Sequence, residues 1–271
     1  MDLLSFSTQY IKLYPETDVC MSSATSFLYA YDDMYYLITN GHNITRVNPD
    51  TNERIIDSAA FPVKIKTTVR ASDFNLPSKV GAIPIEVPLY EDDSYLRPRW
   101  YIHPSHGYNV DVVAIPWAGN DSYTGTIKFY PLNGNDFDPR FQSTVSDDVF
   151  ILGYPLDING GHDLPIWKRG TISTEPSLDL GNLPKFMVDT ATRSGMSGSP
   201  VIMQRKGFHQ QGTELSLSDI FGTIRNFAGI YSGRIGSSNE LEAQLGIVWK
   251  PQVIDEILNA KKIGDIDFQN V

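Results

Sequence analysis

Arg193-Ser194-Gly195-Met196-Ser197-Gly198-Ser199-Pro200-Val201 places a serine among glycines and then runs into an apolar segment, Pro200-Val201-Ile202. A glycine-flanked serine alone marks no more than a turn. The continuation is what discriminates. A nucleophile elbow requires Gly-x-Ser-x-Gly between a strand and a helix, with its histidine later in the chain. Here position 199 is serine, the next segment is β-like, and the one later histidine, His209, sits close by in a polar loop. The elbow reading fails, and a serine turn feeding a buried β-strand remains. Glycines at 195 and 198 let such a turn aim backbone N–H groups into one small space.

Outward from this stretch the same texture fills the chain. Short β-like runs alternate with turn residues over 26–31, 34–39, 63–70, 83–87, 110–115, 149–152, 171–174, 185–188, 201–203, 228–231 and 245–248. The run 63–70 alternates at period two, which predicts one buried and one wet face. Helix is expected near Tyr10, Ile11 and Leu13, and over 251–262. In the latter, Pro251 suits a first helical position and Val253, Ile254, Ile257 and Leu258 form one apolar stripe. Many short strands with a terminal helix predict an all-β chain, either a sandwich or a pair of barrels. No fixed-period repeat and no low-complexity linker divides it. The polar, turn-rich stretch 46–97 is expected to carry a long surface excursion, with Glu91-Asp92-Asp93 on a solvated face.

Composition narrows the function classes. Hydrophobic residues are 41% of the 271 and charged residues 20%, which excludes a disordered chain. The 32 acidic against 22 basic residues give a net charge of −10. That balance argues against a nucleic-acid backbone or an anionic membrane surface as the partner. Cys20 is the single cysteine, so no intramolecular disulfide can form, and the count fits a reducing compartment. The start, Met1-Asp2-Leu3-Leu4-Ser5-Phe6-Ser7, has no basic, apolar leader, and no apolar run is long enough to span a bilayer. A soluble, cytoplasmic protein is expected.

A nucleophilic serine needs a base, and the base is better sought upstream. Leu37-Ile38-Thr39-Asn40-Gly41-His42 puts His42 at the end of an apolar strand, where the strand would hold it rigidly. Tyr108-Asn109-Val110-Asp111-Val112-Val113 embeds Asp111 at the start of another. A buried carboxylate without a partner is costly, and an imidazole N–H would supply one. An edge-strand aspartate bonded to backbone is the plainer alternative.

The order His42, Asp111, Ser197 is similar to that of the chymotrypsin-like (trypsin-like) serine peptidases, and the chain most resembles their disulfide-free bacterial branch. Thr39-Asn40-Gly41-His42 looks like the Thr-Asn-x-His of HtrA-type proteases. The run 189–198 is similar to their lead into Gly-Asn-Ser-Gly. Ile151-Leu152-Gly153-Tyr154-Pro155 and Ile166-Trp167-Lys168-Arg169-Gly170-Thr171-Ile172 resemble a strand pair of glutamyl endopeptidases. Gly229-Ile230-Tyr231-Ser232-Gly233 resembles the strand lining the specificity pocket.

The resemblance covers roughly 15–260 and implies two six-stranded antiparallel barrels, over 15–125 and 126–250, with a C-terminal helix over 251–262. It implies a serine endopeptidase acting through an acyl-enzyme, with no cofactor and no metal. His42 would be the base, Asp111 its orienter and Ser197 the nucleophile, with the N–H groups of Gly195 and Ser197 as oxyanion hole. The pocket would be lined by Ala191, Thr192, Ser232, Gly233, Arg234 and Gly246.

Departures from the family pattern carry consequences. Met196 stands where digestive members have an aspartate, which excludes activation by a new N-terminus. The spacing of His42 and Asp111 adds loop mass to the first barrel. Ala191 leaves the pocket floor uncharged, which disfavours Lys or Arg before the cut. Gly233 and Gly246 would leave its walls open, so an apolar or small side chain is expected there. Thr192 matches glutamyl endopeptidases, but Tyr231 replaces their pocket histidine. Arg234 would attract an acidic side chain if it entered the pocket. Protein or peptide is the expected substrate, and control of activity by a regulatory protein partner, by oligomerisation or by a mobile loop is expected. The rival reading is a latent trypsin-like fold used as a partner-binding module. His103-Pro104-Ser105-His106 and His162-Asp163 are expected to be structural loops rather than metal sites.

Overall fold

Ile11 and Leu13 are both fully buried while Lys12 between them is exposed. That is period two, and it makes Thr8–Tyr14 a strand rather than the helix expected near Tyr10, Ile11 and Leu13. A one-turn helix, α1 (Leu3–Ser7), precedes it, with the Asp2 carboxylate capping Leu4 N–H at 3.1 Å. The computed structural model of the chain describes residues 1–49, 51, 53–55, 60–73, 76–119, 127–138, 140–209, 220–234 and 244–270.

Among these residues the first sheet takes nine strands. They are β1 (Thr8–Tyr14), β2 (Ser22–Tyr31), β3 (Met34–Thr39), β4 (Lys64–Asp73), β5 (Leu76–Pro88), β6 (Tyr101–Ile102), β7 (Val113–Gly119), β8 (Ile127–Phe129) and, from the far end of the chain, β15 (Lys262–Ile263). Their order is β15-β6-β7-β3-β2-β1-β4-β5, with β8 also on β4. The long β4–β5 hairpin takes up much of the polar stretch read as a surface excursion. The second sheet closes as a six-stranded barrel in the order β10-β11-β14-β13-β12-β9. It comprises β9 (Asp148–Gly153), β10 (Ile166–Ile172), β11 (Lys185–Asp189), β12 (Pro200–His209), β13 (Ile220–Arg234) and β14 (Leu245–Trp249). Every strand pair in both sheets is antiparallel. The fold is the two-barrel, chymotrypsin-like one, but its first unit has more strands than the six expected.

The strand alternation distributes the core. In the second barrel Ile151, Val201, Tyr231 and Val248 point inward, and their neighbours Leu152, Ile202, Ile230 and Trp249 point outward into a shared cluster. In the first unit Leu37 and Val113 point inward while Ile38 and Val112 enter that same shared cluster. The two units are therefore glued by apolar residues one position off from those filling each interior. The C-terminal helix α3 (Gln252–Ala260) joins this cluster with the expected stripe, all four of whose side chains are buried. No helix of the described residues is long and apolar enough to cross a membrane.

Ile257 is fully buried on that stripe. Ile257→Ala should destabilise the protein by about 2–5 kcal/mol, through lost transfer energy and a residual cavity. Urea denaturation measures this; an unchanged midpoint would mean α3 does not fold with the rest.

Candidate active site

The three candidate residues arrive at one place by different routes. β3 ends at Thr39, and the chain turns at Asn40 into a one-turn helix, α2 (Gly41–Thr45), that carries His42. Asp111 lies between Val110 and Val112, both buried, and is itself 1% exposed. Its carboxylate accepts from His42 N–H at 2.8 Å and faces His42 Nδ1 at 2.6 Å. Asn40 Nδ2 donates to the Asp111 carbonyl at 2.7 Å, which fixes the backbone as well. A carboxylate on Nδ1 makes that nitrogen the proton carrier of a neutral imidazole, so Nε2 is left with its lone pair.

Burial disfavours a charged imidazole, but the Asp111 carboxylate outweighs it and holds the His42 pKa above its ordinary value. A third donor comes from the second barrel. β13 carries a bulge between Tyr231 and Gly233, and the Ser232 hydroxyl donates to Asp111 Oδ2. Ser232, expected to line the pocket, thus sends its hydroxyl across to Asp111; a bulge re-aims a side chain in this way.

Ser197 sits on a turn clamped between the two units. Its carbonyl accepts from Thr25 N–H at 2.9 Å and from Asn43 Nδ2, one residue past His42, at 3.4 Å. Gly198 N–H donates to the Tyr231 carbonyl at 2.9 Å. A Cβ on Gly198 would lie 2.1 Å from the Thr25 carbonyl oxygen, so only glycine fits there. Met196, just before the serine, is fully buried and serves as an anchor in the second-barrel core. A Cβ built on Gly233 would lie 3.9 Å from Ser197 Oγ, which puts the hydroxyl beside the segment that supports Asp111. Ser197 Oγ and His42 are not joined by a hydrogen bond among the described residues.

The Ser194 carbonyl accepts from Leu156 N–H at 2.8 Å, and the Gly195 carbonyl accepts from Thr25 Oγ1 at 2.7 Å. A trans peptide sends its N–H opposite its C=O, so Gly195 N–H points away from Leu156. Neither Gly195 N–H nor Ser197 N–H has an intramolecular acceptor among the described residues.

The pocket residues do not leave the opening that their sizes suggested. Tyr231 is 1% exposed, and its hydroxyl is hydrogen-bonded to the buried Thr192 hydroxyl. A Cβ on Gly246 would lie 2.4 Å from Tyr231 Cε2. The space that Gly246 was expected to leave open is therefore filled by the Tyr231 ring. Ala191 is half-buried at the edge of this region. The side chain of Arg234 lies outside the described residues.

Thr25, Asn40, Leu156 and the Asp111 bond of Ser232 were not found from the sequence. Each acts through a backbone group, a single hydroxyl or, for Asn40, one side-chain amide on a backbone carbonyl, which leaves no spacing signature. Of the other histidines, His103 is buried, with Nε2 on Glu256 of α3 at 2.5 Å and Nδ1 accepting from the N–H groups of Ser105 and His106. Both of its ring nitrogens are thus used to pin its loop to α3.

No family model and no curated protein matches the sequence. Solved structures do resemble the fold. A serine endoprotease from Yersinia pestis aligns with a TM-score of 0.51 at 12% identity, over 96% of this chain and 66% of that one. The chain thus spans about two thirds of that protein's length, and at this identity the likeness is one of fold alone. Two inactive forms of Rv3671c, one a serine mutant of the M. tuberculosis H37Rv protein, align less well, with TM-scores of 0.44 and 0.42 at 13% and 14% identity. These alignments cover 95% of this chain in each case, and 87% and 89% of the other.

The His42–Asp111 contact has a direct readout. In an NMR titration the His42 ring should change charge above the ordinary histidine value of about 6.5. In Asp111→Asn only burial remains, so the midpoint should fall below that value. A midpoint unmoved by the substitution would mean that Asp111 does not control this imidazole.

Proposed function

We propose that the protein is a serine endopeptidase working through an acyl-enzyme. The observation that carries this reading is His42, tied through Nδ1 to a buried carboxylate with Nε2 left as an acceptor, beside a serine turn with two unengaged N–H groups. His42 would take the Ser197 proton as the hydroxyl attacks a peptide carbonyl, then return it to the leaving amine. Asp111 would stay ionised, hold the tautomer and stabilise the imidazolium. Gly195 and Ser197 N–H would receive the oxyanion, where donors of this kind contribute a large share of the rate. The missing Ser197–His42 bond does not exclude this, because such bonds often tighten only when substrate is bound.

That same missing bond favours a second reading, a latent fold that binds a partner without turning over. A fluorophosphonate probe separates the two. Labelling lost in Ser197→Ala supports the hydrolase, and a wild-type chain that never labels supports the latent module. Ser197→Ala should also leave thermal stability nearly unchanged. Asp111→Asn should stay folded and lose turnover by about 10⁴, through the wrong histidine tautomer. Activity at the wild-type level in Asp111→Asn would assign the orienting acid elsewhere.

The filled pocket makes the substrate class more specific. An acyl group on Ser197 Oγ would lie beside Gly233, and the Tyr231 ring, bonded to Thr192, fills the space next to Gly246. We propose a shallow site that takes Ala, Ser or Gly before the cut. In a peptide series kcat/KM should fall from Ala to Leu to Phe and be lowest for Lys and Arg, which would bury an unpaired charge. Tyr231→Ala should raise Phe relative to Ala. A wild-type preference for Phe or Arg would refute the shallow site.

A further inference from the structure

Gly41 opens α2 with no side chain, and its backbone is held between two groups. A Cβ built there would lie 3.2 Å from Asp111 Oδ1 and 3.4 Å from Cδ1 of the Tyr108 ring. The ring therefore packs over the backbone that leads into His42, beside Val113 of β7, whose Cγ1 would lie 3.7 Å from the same Cβ. α2 itself has only five residues and no side-chain cap, so its own hydrogen bonding cannot fix its position.

Tyr108 is in turn held by the end of the chain. Its hydroxyl accepts from Trp100 Nε1 at 3.0 Å and donates to the Asp265 carbonyl at 3.0 Å. The segment that supplies this carbonyl is fastened along its length. β15 pairs with β6, and Gly264 N–H donates to the Trp100 carbonyl at 2.9 Å. A Cβ on Gly264 would lie 2.3 Å from Trp100 Nε1, so the close approach requires glycine. Phe268 is 6% exposed, edge-on to Tyr108 at 6.4 Å and tilted against Trp100 at 6.2 Å between ring centres. The Gln269 carbonyl accepts from Arg54 at 3.2 Å. Between this strap and the His42–Asp111 pair lies a cavity of about 180 Å³, with Gly41, His42 and Asp111 on its inner wall and Asp265, Asp267 and Phe268 on its outer wall.

We propose that Tyr108, braced by the strap 264–269, is a positioning residue for the His42–Asp111 pair. The cavity gives α2 room to move away from Asp111, and the Tyr108 ring blocks that movement. The strap acts only through Tyr108 and by lining the cavity. It touches no reacting atom. The inference rests on the hydrolase reading for its kinetic consequence but not for its structural one.

The test uses Phe268→Ala and Tyr108→Phe in the full chain. Phe268→Ala takes away the ring under the strap. Tyr108→Phe keeps the ring on Gly41 and deletes the hydroxyl that links it to Trp100 and Asp265. Two readouts are followed beside circular dichroism: kcat and KM on one peptide substrate, and the low-field proton resonance of His42 Nδ1–H on Asp111. Phe268→Ala should lose about ten-fold or more in kcat with KM unchanged, since small misplacements of a catalytic group act on kcat. Its low-field resonance should broaden through exchange with water. Tyr108→Phe should shift both readouts the same way by a smaller factor. Folded variants with wild-type kcat and a sharp resonance would overturn the proposal. Should Phe268→Ala not fold, Tyr108→Phe decides on the same readouts. Failure of the hydrolase reading is recognised separately, by a wild-type chain without Ser197-dependent turnover, and the resonance still reports on the brace.

Discussion

A carboxylate buried to 1% exposure must be answered by donors, because an unpaired buried charge is costly. Asp111 has three: the His42 N–H, the His42 ring and the Ser232 hydroxyl. They come from α2 and from β13, two elements in different barrels. Satisfying one buried charge therefore ties the halves of the molecule together at the cleft, through the Ser232 hydroxyl. The apolar cluster shared by the two units supplies the adhesion, but apolar contact is non-directional. Hydrogen bonds across the cleft, from Ser232 to Asp111 and from Thr25 and Asn43 to the Ser197 carbonyl, supply the direction.

The serine turn meets the same demand from the other side. It is held by close backbone approaches, which only glycine permits. Gly195 has a φ of +91°, and a Cβ there would lie 2.3 Å from the Tyr154 carbonyl oxygen. With the Ser194 and Met196 carbonyls bonded, to Leu156 N–H and Ser199 N–H, the peptide units that carry Gly195 N–H and Ser197 N–H cannot rotate freely. Donor groups that are already oriented cost no reorganisation when charge appears, and this is where such sites gain most of their effect. The core side chain of Met196 holds the turn without the ion pair that an aspartate at this position would need.

The β-rich character was legible because alternation is a local signal: Val63 to Arg70 announced its two faces directly. The C-terminal stripe at Val253, Ile254, Ile257 and Leu258 was legible for the same reason at the helical period. Ile11 and Leu13 were misread because two apolar residues with a lysine between them fit a strand, and too few neighbours were weighed to separate the periods. In the candidate site, His42 and Asp111 stood out because apolar runs around them make a polar group conspicuous, and Ser197 because glycines flank it just before an apolar run. The pocket was misjudged at Gly246. A missing side chain was read as open space, whereas in the fold it is the room that Tyr231 of the neighbouring strand occupies. Sequence records which residue is small but not which neighbour uses the vacancy.

The bulge in β13 ties these features together. Along a regular strand Tyr231 and Gly233 would share a face and Ser232 would take the other. The pairing instead advances from Tyr231 opposite Val248 to Gly233 opposite Ile247, leaving Ser232 as the extra residue. Gly233 takes a φ of +111°, which side-chain-bearing residues adopt only under strain. One irregularity thus does three things: it turns the Tyr231 ring into the barrel against Gly246, brings a bare Gly233 beside Ser197, and sends the Ser232 hydroxyl to Asp111. The depth of the pocket and the orientation of the carboxylate are consequently set by the same few backbone angles. On the proposed hydrolase reading, a change that straightens β13 to enlarge the pocket would withdraw a donor from a buried charge, so specificity would be adjusted at less cost by the side chain at 231 than by the backbone around it.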